Sequence, residues 1–201
     1  MNTLEAIKSR RAVKHYDSTF KIPEKDINCL LEHMLEAPTS FNLQHWRFVL
    51  IEDKRLRKEI QEASWGQEQV TDASLLFILC ADVKAWEKAP EQYWRDAPVA
   101  ARDMMLPMIK DFYDGKEQLQ RDEALRSVGI VAQTAMLSAK ALGYDSCPMI
   151  GFDHQQVAKL IELPEDHIIG MMLVVGKAAK PARQKPGQLL INQVLIKNRF
   201  K

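Results

Sequence analysis

The first part of the chain places apolar and polar residues at helical spacing. A capping pair, Asn2 and Glu5, opens a predicted amphipathic helix that ends near Arg10. A second predicted helix has Pro23 in its first turn. Its buried face follows the i, i+3, i+4, i+7, i+8 pattern, with Ile27, Leu30, Leu31, Met34 and Leu35. Pro38 ends this helix, because a proline disfavours helical geometry in the residue before it.

Apolar runs further along the chain predict three β-strands, over residues 47–51, 75–79 and 168–175. Helical periodicity predicts further helices, over residues 54–63, 126–142 and 153–163. A looser helical pattern covers residues 90–112, where Pro98 and Pro107 would break or kink it. Strands that alternate with helices imply a mixed α/β core. The apolar residues of 189–196 need a cover, which is either a partner subunit or the chain's own sheet with this segment as its last strand.

Composition defines the class of protein. The 201 residues are 46% hydrophobic and 27% charged, which suits one globular domain over residues 1–201. Lys and Arg total 28 and Asp and Glu 27, so no overall charge attracts nucleic acid or an anionic membrane. The longest apolar run, residues 73–81, is too short to span a bilayer. Three widely spaced cysteines, together with an opening helix that does not read as a signal peptide, predict free thiols and a cytoplasmic protein.

Several kinds of catalytic site lack their sequence motif. The chain has neither a Gly-x-Gly-x-x-Gly nor a Gly-x-x-x-x-Gly-Lys phosphate loop, so a tightly held dinucleotide on a Rossmann unit is not expected. The five histidines have no second histidine three or four residues away, and we predict no metal site. No serine lies in a Gly-x-Ser-x-Gly elbow, and no cysteine has an activating base nearby in the sequence.

Two polar clusters remain as candidate binding elements. Arg10, Arg11 and Lys14 place three cations on one short segment, and arginine offers planar, bidentate hydrogen bonds to a phosphate. The alternative is a solvated basic helix end. The turn of residues 37–46 holds five hydrogen-bonding side chains directly after the second helix, as a ligand-binding turn would. An ordinary helix-to-strand connection is the other interpretation, since Thr, Ser and Asn favour such turns.

Together with residues 147–153, these clusters resemble the nitroreductase family of flavoproteins. Residues 9–14 resemble its Arg-Arg-Ser-Val-Arg-like motif, residues 37–46 its Ala-Pro-Ser-Ser-x-Asn-x-Gln-Pro-Trp-like turn, and residues 147–153 its Ile-Gly-Gly-Phe-like segment. The three motifs follow in order and span almost the whole chain. The resemblance implies an α/β nitroreductase-type fold with a central, mostly antiparallel sheet and helices on both faces. It also implies an intertwined homodimer with two flavin sites at the subunit interface.

The resemblance further implies how flavin mononucleotide (FMN) would be bound. Arg10 and Lys14 would lie near the isoalloxazine ring and Arg11 toward the phosphate, while Ala12 replaces the usual Ser of the family. Residues of the second motif would close over the flavin from the other subunit, namely Pro38, Thr39, Ser40, Asn42 and Gln44.

Two further segments belong to this implied site. The backbone of Ile150 and Gly151 would pass close to the flavin ring, where glycine has no side chain to clash. Residues 66–69 resemble the family's Asn-Gln-x-Gln/Lys stretch. Because Gly66 stands where Asn is frequent, Gln67 and Gln69 are the candidate flavin contacts, with an exposed polar loop as the alternative.

The chain departs from the family pattern at two more places. His45 occupies the usual proline position of the second motif. The tail usually supplies an Arg to the phosphate around Gly187 or Gln188, and neither residue can replace it. Arg183 or Lys185 would take this role if the loop shifts.

The activity implied by the resemblance is NAD(P)H-dependent reduction of nitroaromatics, quinones or similar small-molecule acceptors, by ping-pong exchange at one flavin face. The flavin would carry the chemistry, so no catalytic acid or base is expected. Four aromatic residues are candidates to line the acceptor cleft, although such residues at helical spacing are more often core: Phe41, Trp94, Phe112 and Tyr113. Dehalogenation or flavin fragmentation on the same fold, and a non-catalytic dimeric flavin-binding module, are the alternative functions.

Overall fold

A computed structural model describes residues 1–200 of the chain, and its centre is a four-stranded sheet. The strands are β1 (Trp46–Leu50), β2 (Leu75–Asp82), β3 (Asp145–Met149) and β4 (His167–Gly176). They lie in the order β1-β2-β4-β3, and all three neighbouring pairs are antiparallel. The mostly antiparallel sheet implied by the family resemblance is therefore confirmed.

Helices connect and cover these strands. They are α1 (Thr3–Ser9), α2 (Glu24–Leu35), α3 (Lys54–Ala63), α4 (Gln69–Asp72), α5 (Val99–Tyr113), α6 (Glu117–Ala141), α7 (His154–Leu160) and α8 (Ile191–Val194). Short 3₁₀ helices span Ser40–Asn42 and Pro90–Trp94. The predicted capping pair is confirmed, since Glu5 N donates to Asn2 Oδ1 at 3.0 Å and Asn2 N donates to Glu5 Oε2 at 3.1 Å.

Alternate residues of β2 point to opposite faces of the sheet and enter two hydrophobic cores. Phe77 and Leu79 pack in a core with α2 and α6, whereas Ile78 and Cys80 pack in a core with α3 and α7. Helices thus lie on both faces, and every residue of β2 is buried. This explains why the strand reads as one continuous apolar run in the sequence.

Two helix predictions differ from the structure. α6 begins at Glu117 rather than at residue 126, because its polar first turns are stabilised by pairs such as Gln118 Nε2 to Asp122 Oδ1 at 2.6 Å. α5 continues through Pro107, which does not end it. Pro98 does separate α5 from the preceding 3₁₀ helix, since it is the residue before the first helical position.

The two edges of the sheet differ. β3 forms one edge and was not predicted, because a five-residue strand with a proline lacks a continuous apolar run. Its Pro148 has no N–H group to donate, and Val13 N donates to Ser146 O at 3.2 Å along this edge. β1 forms the other edge, and no further strand within residues 1–200 pairs with it.

The tail after β4 does not return to the sheet. No strand forms between residues 177 and 200, so the alternative of a final strand on the chain's own sheet is wrong for this part of the chain. The tail leaves its large apolar side chains exposed: Leu189, Leu190, Ile191, Val194, Leu195, Ile196 and Phe200. None of the helices in residues 1–200 combines the length and apolar character needed to cross a membrane.

Candidate functional site

The N-terminal cations directly follow α1. Arg11 is fixed by its own segment, since its Nη1 donates to the carbonyl oxygens of Lys8 at 2.8 Å and of Arg10 at 2.7 Å. Lys14 is exposed and Arg10 is partly exposed. In residues 1–200, no carboxylate oxygen lies within 4.0 Å of a side-chain nitrogen of these three residues. Three cations without a carboxylate partner are suited to bind an anionic ligand.

These cations lie beside β3. The N–H group of Val13 bonds to the carbonyl of Ser146, which joins the N-terminal segment to the strand. Burial raises the pKa of the Cys147 thiol, and the nearby charges of Lys14 and Arg10 oppose that rise. The first and third sequence motifs are therefore adjacent in the fold.

Two glutamines join the loop after β3 to the loop after α3. Gln67 Nε2 donates to Gly151 O at 2.7 Å, and Gln69 Nε2 donates to Gln67 Oε1 at 2.8 Å. Gln69 is buried, whereas the neighbouring Ile150 is 71% exposed. The glutamines are thus part of an ordered hydrogen-bonded group, and an exposed polar loop does not describe Gln69.

Trp65 lies in the same group and was missed in the sequence. It is 72% exposed, and a Cβ built on Gly151 would be 3.2 Å from its Cζ3 atom. Trp65 and Gly66 have φ angles of 55° and 72°, in the left-handed region that Gly and Asn adopt most readily. This explains why Gly66 can stand where the family often has Asn. The sequence signal was an aromatic residue directly before that glycine.

The second motif folds into a strained turn. Phe41, Asn42 and Gln44 have φ angles of 51°, 55° and 43°, which makes them three of the seven non-glycine residues with positive φ in residues 1–200. Each such residue costs about 1–3 kcal/mol, and such strain concentrates at binding sites. Gln44 N donates to Thr39 Oγ1 at 3.0 Å and so helps to hold the turn. This geometry favours the ligand-binding interpretation over an ordinary connection.

The aromatic residues proposed for the acceptor cleft cluster behind this turn. Trp94 Nε1 donates to Phe41 O at 3.0 Å, and the rings of Phe41 and Phe112 are 5.3 Å apart. Phe112 is 41% exposed, but Tyr113 is fully buried. Tyr113 is therefore a core residue in this chain and does not line an open cleft.

His45 is buried beneath the same turn. It is 1% exposed, and its Nδ1 lies 3.2 Å from Ser127 Oγ on α6. Burial lowers the pKa of His45 to about 4, although the charges of Glu123 and Asp82 act in the opposite direction. His45 is thus a neutral residue that ties the second motif to α6 at neutral pH.

The second motif forms no hydrogen bond with the other two within one described chain. In residues 1–200, no hydrogen bond joins residues 38–44 to residues 10–14, 65–69 or 150–151. Arg183 lies in the exposed tail, and Lys185 Nζ donates to Gln188 Oε1 at 3.0 Å. In the described residues, no side-chain hydrogen bond joins Arg183 or Lys185 to either part of the candidate site.

A separate charged cluster lies at the end of β2. Asp82, Asp166 and His167 place three potential ligand atoms within 4.8 Å of one another, a spacing that could suit a metal ion. Lys88 Nζ lies among them, 3.0 Å from Asp82 Oδ2 and also paired with Asp166. Arg47 Nη2 lies 3.5 Å from the same Asp82 oxygen, so Lys88 and Arg47 supply positive charge to this cluster, which we interpret as an ion-pair network.

Known proteins resemble this chain over nearly its full length. The family model described as "Nitroreductase family" matches residues 7–177. Protein DrgA of Synechocystis sp. is 48% identical over 200 residues, which are 97% of this chain and 95% of DrgA. YodC of Bacillus subtilis, provisionally named an NAD(P)H nitroreductase, is 33% identical over 190 residues, which are 91% of this chain and 93% of YodC.

Solved structures show the same fold. A protein from Exiguobacterium sibiricum, provisionally named a nitroreductase and solved in complex with FMN, superposes with a TM-score of 0.90 at 29% identity. The superposition covers 98% of this chain and 97% of that protein. The Bacillus subtilis protein ydfN superposes with a TM-score of 0.89 at 30% identity, over 96% of this chain and 97% of ydfN.

Proposed function

Because the chain belongs to the nitroreductase family of oxidoreductases, we propose that it uses FMN to pass reducing equivalents from NAD(P)H to small-molecule acceptors such as nitroaromatics or quinones. The observation that carries this proposal is the group of unpaired cations beside β3, the strand that leads into residues 150–151. The provisional name of YodC and the FMN complex of the Exiguobacterium protein support the same choice of co-substrate and cofactor.

The residues of the site fit FMN. Arg10, Arg11 and Lys14 offer charge-assisted hydrogen bonds to a phosphate and to an electron-rich ring edge. The exposed side chains of Trp65 and Ile150 provide apolar surface on which a flat ring can lie. The N-terminal segment that carries the cations is linked to the loop after Trp65, since His15 Nδ1 lies 3.8 Å from Glu68 Oε2. A cofactor with an anionic end and an aromatic end could use both kinds of surface.

Bound FMN would supply the two-electron chemistry. Lys14 and Arg10 would place positive charge against the ring edge, which favours the negative charge that develops there on reduction. Arg11, oriented by the carbonyl oxygens of Lys8 and Arg10, would bind the phosphate. Stabilisation of this kind needs no side-chain acid or base at the reacting atom, and the acceptor and the nicotinamide would use the same open face in turn.

The activity is tested by anaerobic spectroscopy. NAD(P)H should bleach the flavin absorbance of the purified protein, and a quinone or nitroaromatic should restore it. Steady-state rates at several fixed acceptor concentrations should give parallel double-reciprocal lines, because both substrates use one face. A protein that binds FMN but is not reduced would be a flavin-binding module, and one that takes up no FMN would end the proposal.

We also propose that the site is completed by a second copy of the chain. Within residues 1–200 of one chain, no hydrogen bond joins the turn of residues 38–44 to the cations, and the apolar tail is uncovered. A homodimer in which the turn of one subunit closes over the flavin of the other would account for both observations. In that arrangement Arg183 or Lys185 of the tail would reach the phosphate. The three free cysteines support a cytoplasmic location as part of this proposal.

The dimer is expected to depend on the tail. Sedimentation equilibrium should give twice the chain mass of 23.1 kDa, and Leu195→Asp should shift the protein toward the monomer, because a buried charge is costly. FMN retention should fall in parallel, since the site would lose its second half. Asn192→Asp places the same charge on a polar position of α8 and serves as the matched control. Equal masses for both variants would show that the tail does not hold the subunits together.

A further inference from the structure

A cavity is lined by residues that do not belong to the candidate flavin site. It has a volume of about 510 Å³ and lies between the ends of β1 and β2, the first turns of α3 and residues 18–27. Pockets that bind small molecules have volumes of roughly 300–1,000 Å³. None of the residues that line this cavity is among those proposed to bind FMN or the acceptor.

The cavity has an apolar floor and a basic rim. The floor includes Ile22, Leu50 and Leu75, which are side chains of the core beneath. Four cations line the walls, namely Lys21, Lys54, Arg57 and Lys58. Glu52 supplies the one carboxylate among the lining residues. A ligand with an apolar body and a negative end would match both surfaces.

The cations of the rim have no carboxylate partner. In residues 1–200, no carboxylate oxygen lies within 4.0 Å of the side-chain nitrogens of Lys21, Lys54, Arg57 or Lys58. Lys58 Nζ donates to a neutral acceptor, Gln61 Oε1, at 2.7 Å. Within the described chain these four cations therefore form no ion pair, although the charge of Asp72 acts on Arg57 from a greater distance.

Arg57 holds its charge in a fixed position at the wall. Its Nε donates to Val70 O at 2.6 Å, and its Nη1 and Nη2 donate to the carbonyl oxygens of Ser74 and Ala73. These carbonyls are dipoles, so they orient the guanidinium without cancelling its net charge. Burial lowers the pKa of Arg57, which shows that solvent screens this cation less than an exposed one. An anion in the cavity would interact with it through a medium of reduced polarity.

We propose that this cavity binds a small amphipathic carboxylate, with its hydrocarbon chain on the apolar floor and its carboxylate between Lys21 and Lys54. Arg57, held at the cavity wall, attracts the carboxylate through its positive charge, and the exposed lysines donate hydrogen bonds to it. Each methylene that leaves water for the floor adds to affinity, so the chain length of the ligand matters as well as its charge.

The tail of a second copy is the competing occupant. It is apolar and exposed, but residues 177–200 contain lysines and arginines and no Asp or Glu. Such a segment would bring positive charge toward a positive rim and could not neutralise it. Charge complementarity therefore favours a separate anionic ligand over this tail.

The proposal is tested by isothermal titration calorimetry of the purified 201-residue protein with octanoate. We expect saturable binding of one octanoate per chain, at least tenfold tighter than octan-1-ol, and no binding of octylammonium. Lys21→Glu/Lys54→Glu should weaken octanoate binding at least tenfold. Lys159→Glu/Lys180→Glu makes the same change of net charge on exposed lysines outside the cavity and should leave binding unchanged.

A steric variant makes the test independent of charge. Ser18 lines the cavity from an exposed turn, so Ser18→Trp should block octanoate binding and leave the core untouched. Equal binding of octanoate and octan-1-ol, or equal losses in the two lysine double variants, would overturn the proposal. It would also fail if octanoate bound Leu195→Asp but not the unaltered protein, because a tail from a second copy would then fill the cavity.

Discussion

Lowering the pH from 7 to 4.5 is expected to cost the protein about 2 kcal/mol of unfolding free energy through His45 alone. Burial lowers the pKa of this side chain to about 4 in the folded chain, against an ordinary value of 6.5. Between these two values the unfolded chain binds a proton that the folded chain does not. The contribution of His45 is therefore complete above about pH 6.5 and is lost as the pH falls toward 4.

Urea unfolding at several pH values measures this loss. His45→Gln keeps a polar group near Ser127 but cannot take up a proton, so its free energy of unfolding should fall by about 2 kcal/mol less than that of the unaltered protein over the same range. Ser127→Ala is the informative control, because it removes the hydrogen-bond partner and leaves His45 buried. It should lower stability by about 1 kcal/mol at pH 7 while preserving the pH dependence. The same pH dependence in His45→Gln and the unaltered protein would contradict the assignment.

Lys14→Ala is expected to weaken FMN binding by about 10- to 100-fold, the equivalent of one charge-assisted hydrogen bond. It should also slow reduction by NAD(P)H, because the proposal places this charge at the ring edge. Lys14→Arg should retain most of both properties. Arg11→Ala should mainly reduce cofactor retention, since its guanidinium is assigned to the phosphate. Fluorescence titration with FMN and anaerobic stopped-flow absorbance measure the two effects separately.

Lys8→Ala is the matched control for this experiment. Lys8 is an exposed cation in the last turn of α1, close in sequence to the cluster but not proposed to contact FMN. If Lys14→Ala and Arg11→Ala behave like Lys8→Ala, the cluster is a solvated basic helix end, which is the alternative that the sequence allowed.

The elements with strong periodicity were predictable, and those held by tertiary contacts were not. The sequence predicts α3 at its observed limits. It also predicts β2, because this strand is a continuous, buried apolar run. The first turns of α6 are polar and carry little periodicity, so their helical state depends on side-chain pairs and neighbouring packing. β3 contains Pro148 and gains its strand geometry from β4, a partner far along the chain.

In the candidate site, too, the residue types were predictable from the sequence, whereas features that depend on tertiary contacts were not. The residue types of the three motifs could be read directly, and the structure places the first and third motifs side by side. The left-handed geometry of Phe41 and Gln44 could not be predicted from the sequence, because these residue types seldom adopt it without tertiary support, whereas Asn42 belongs to a type that adopts it more readily. Helical spacing could not tell which of Phe112 and Tyr113 faces inward, because each fits the apolar pattern of α5 from a different side.

The unequal edges of the sheet determine where unassembled chains would aggregate. The β3 edge is protected by a proline without an N–H group and by the neighbouring N-terminal segment. The β1 edge offers unpaired backbone groups on a strand of mainly apolar residues, a template to which another extended chain can add. Arg47 is the only charged residue of β1, so it is the gatekeeper residue against such growth along this edge.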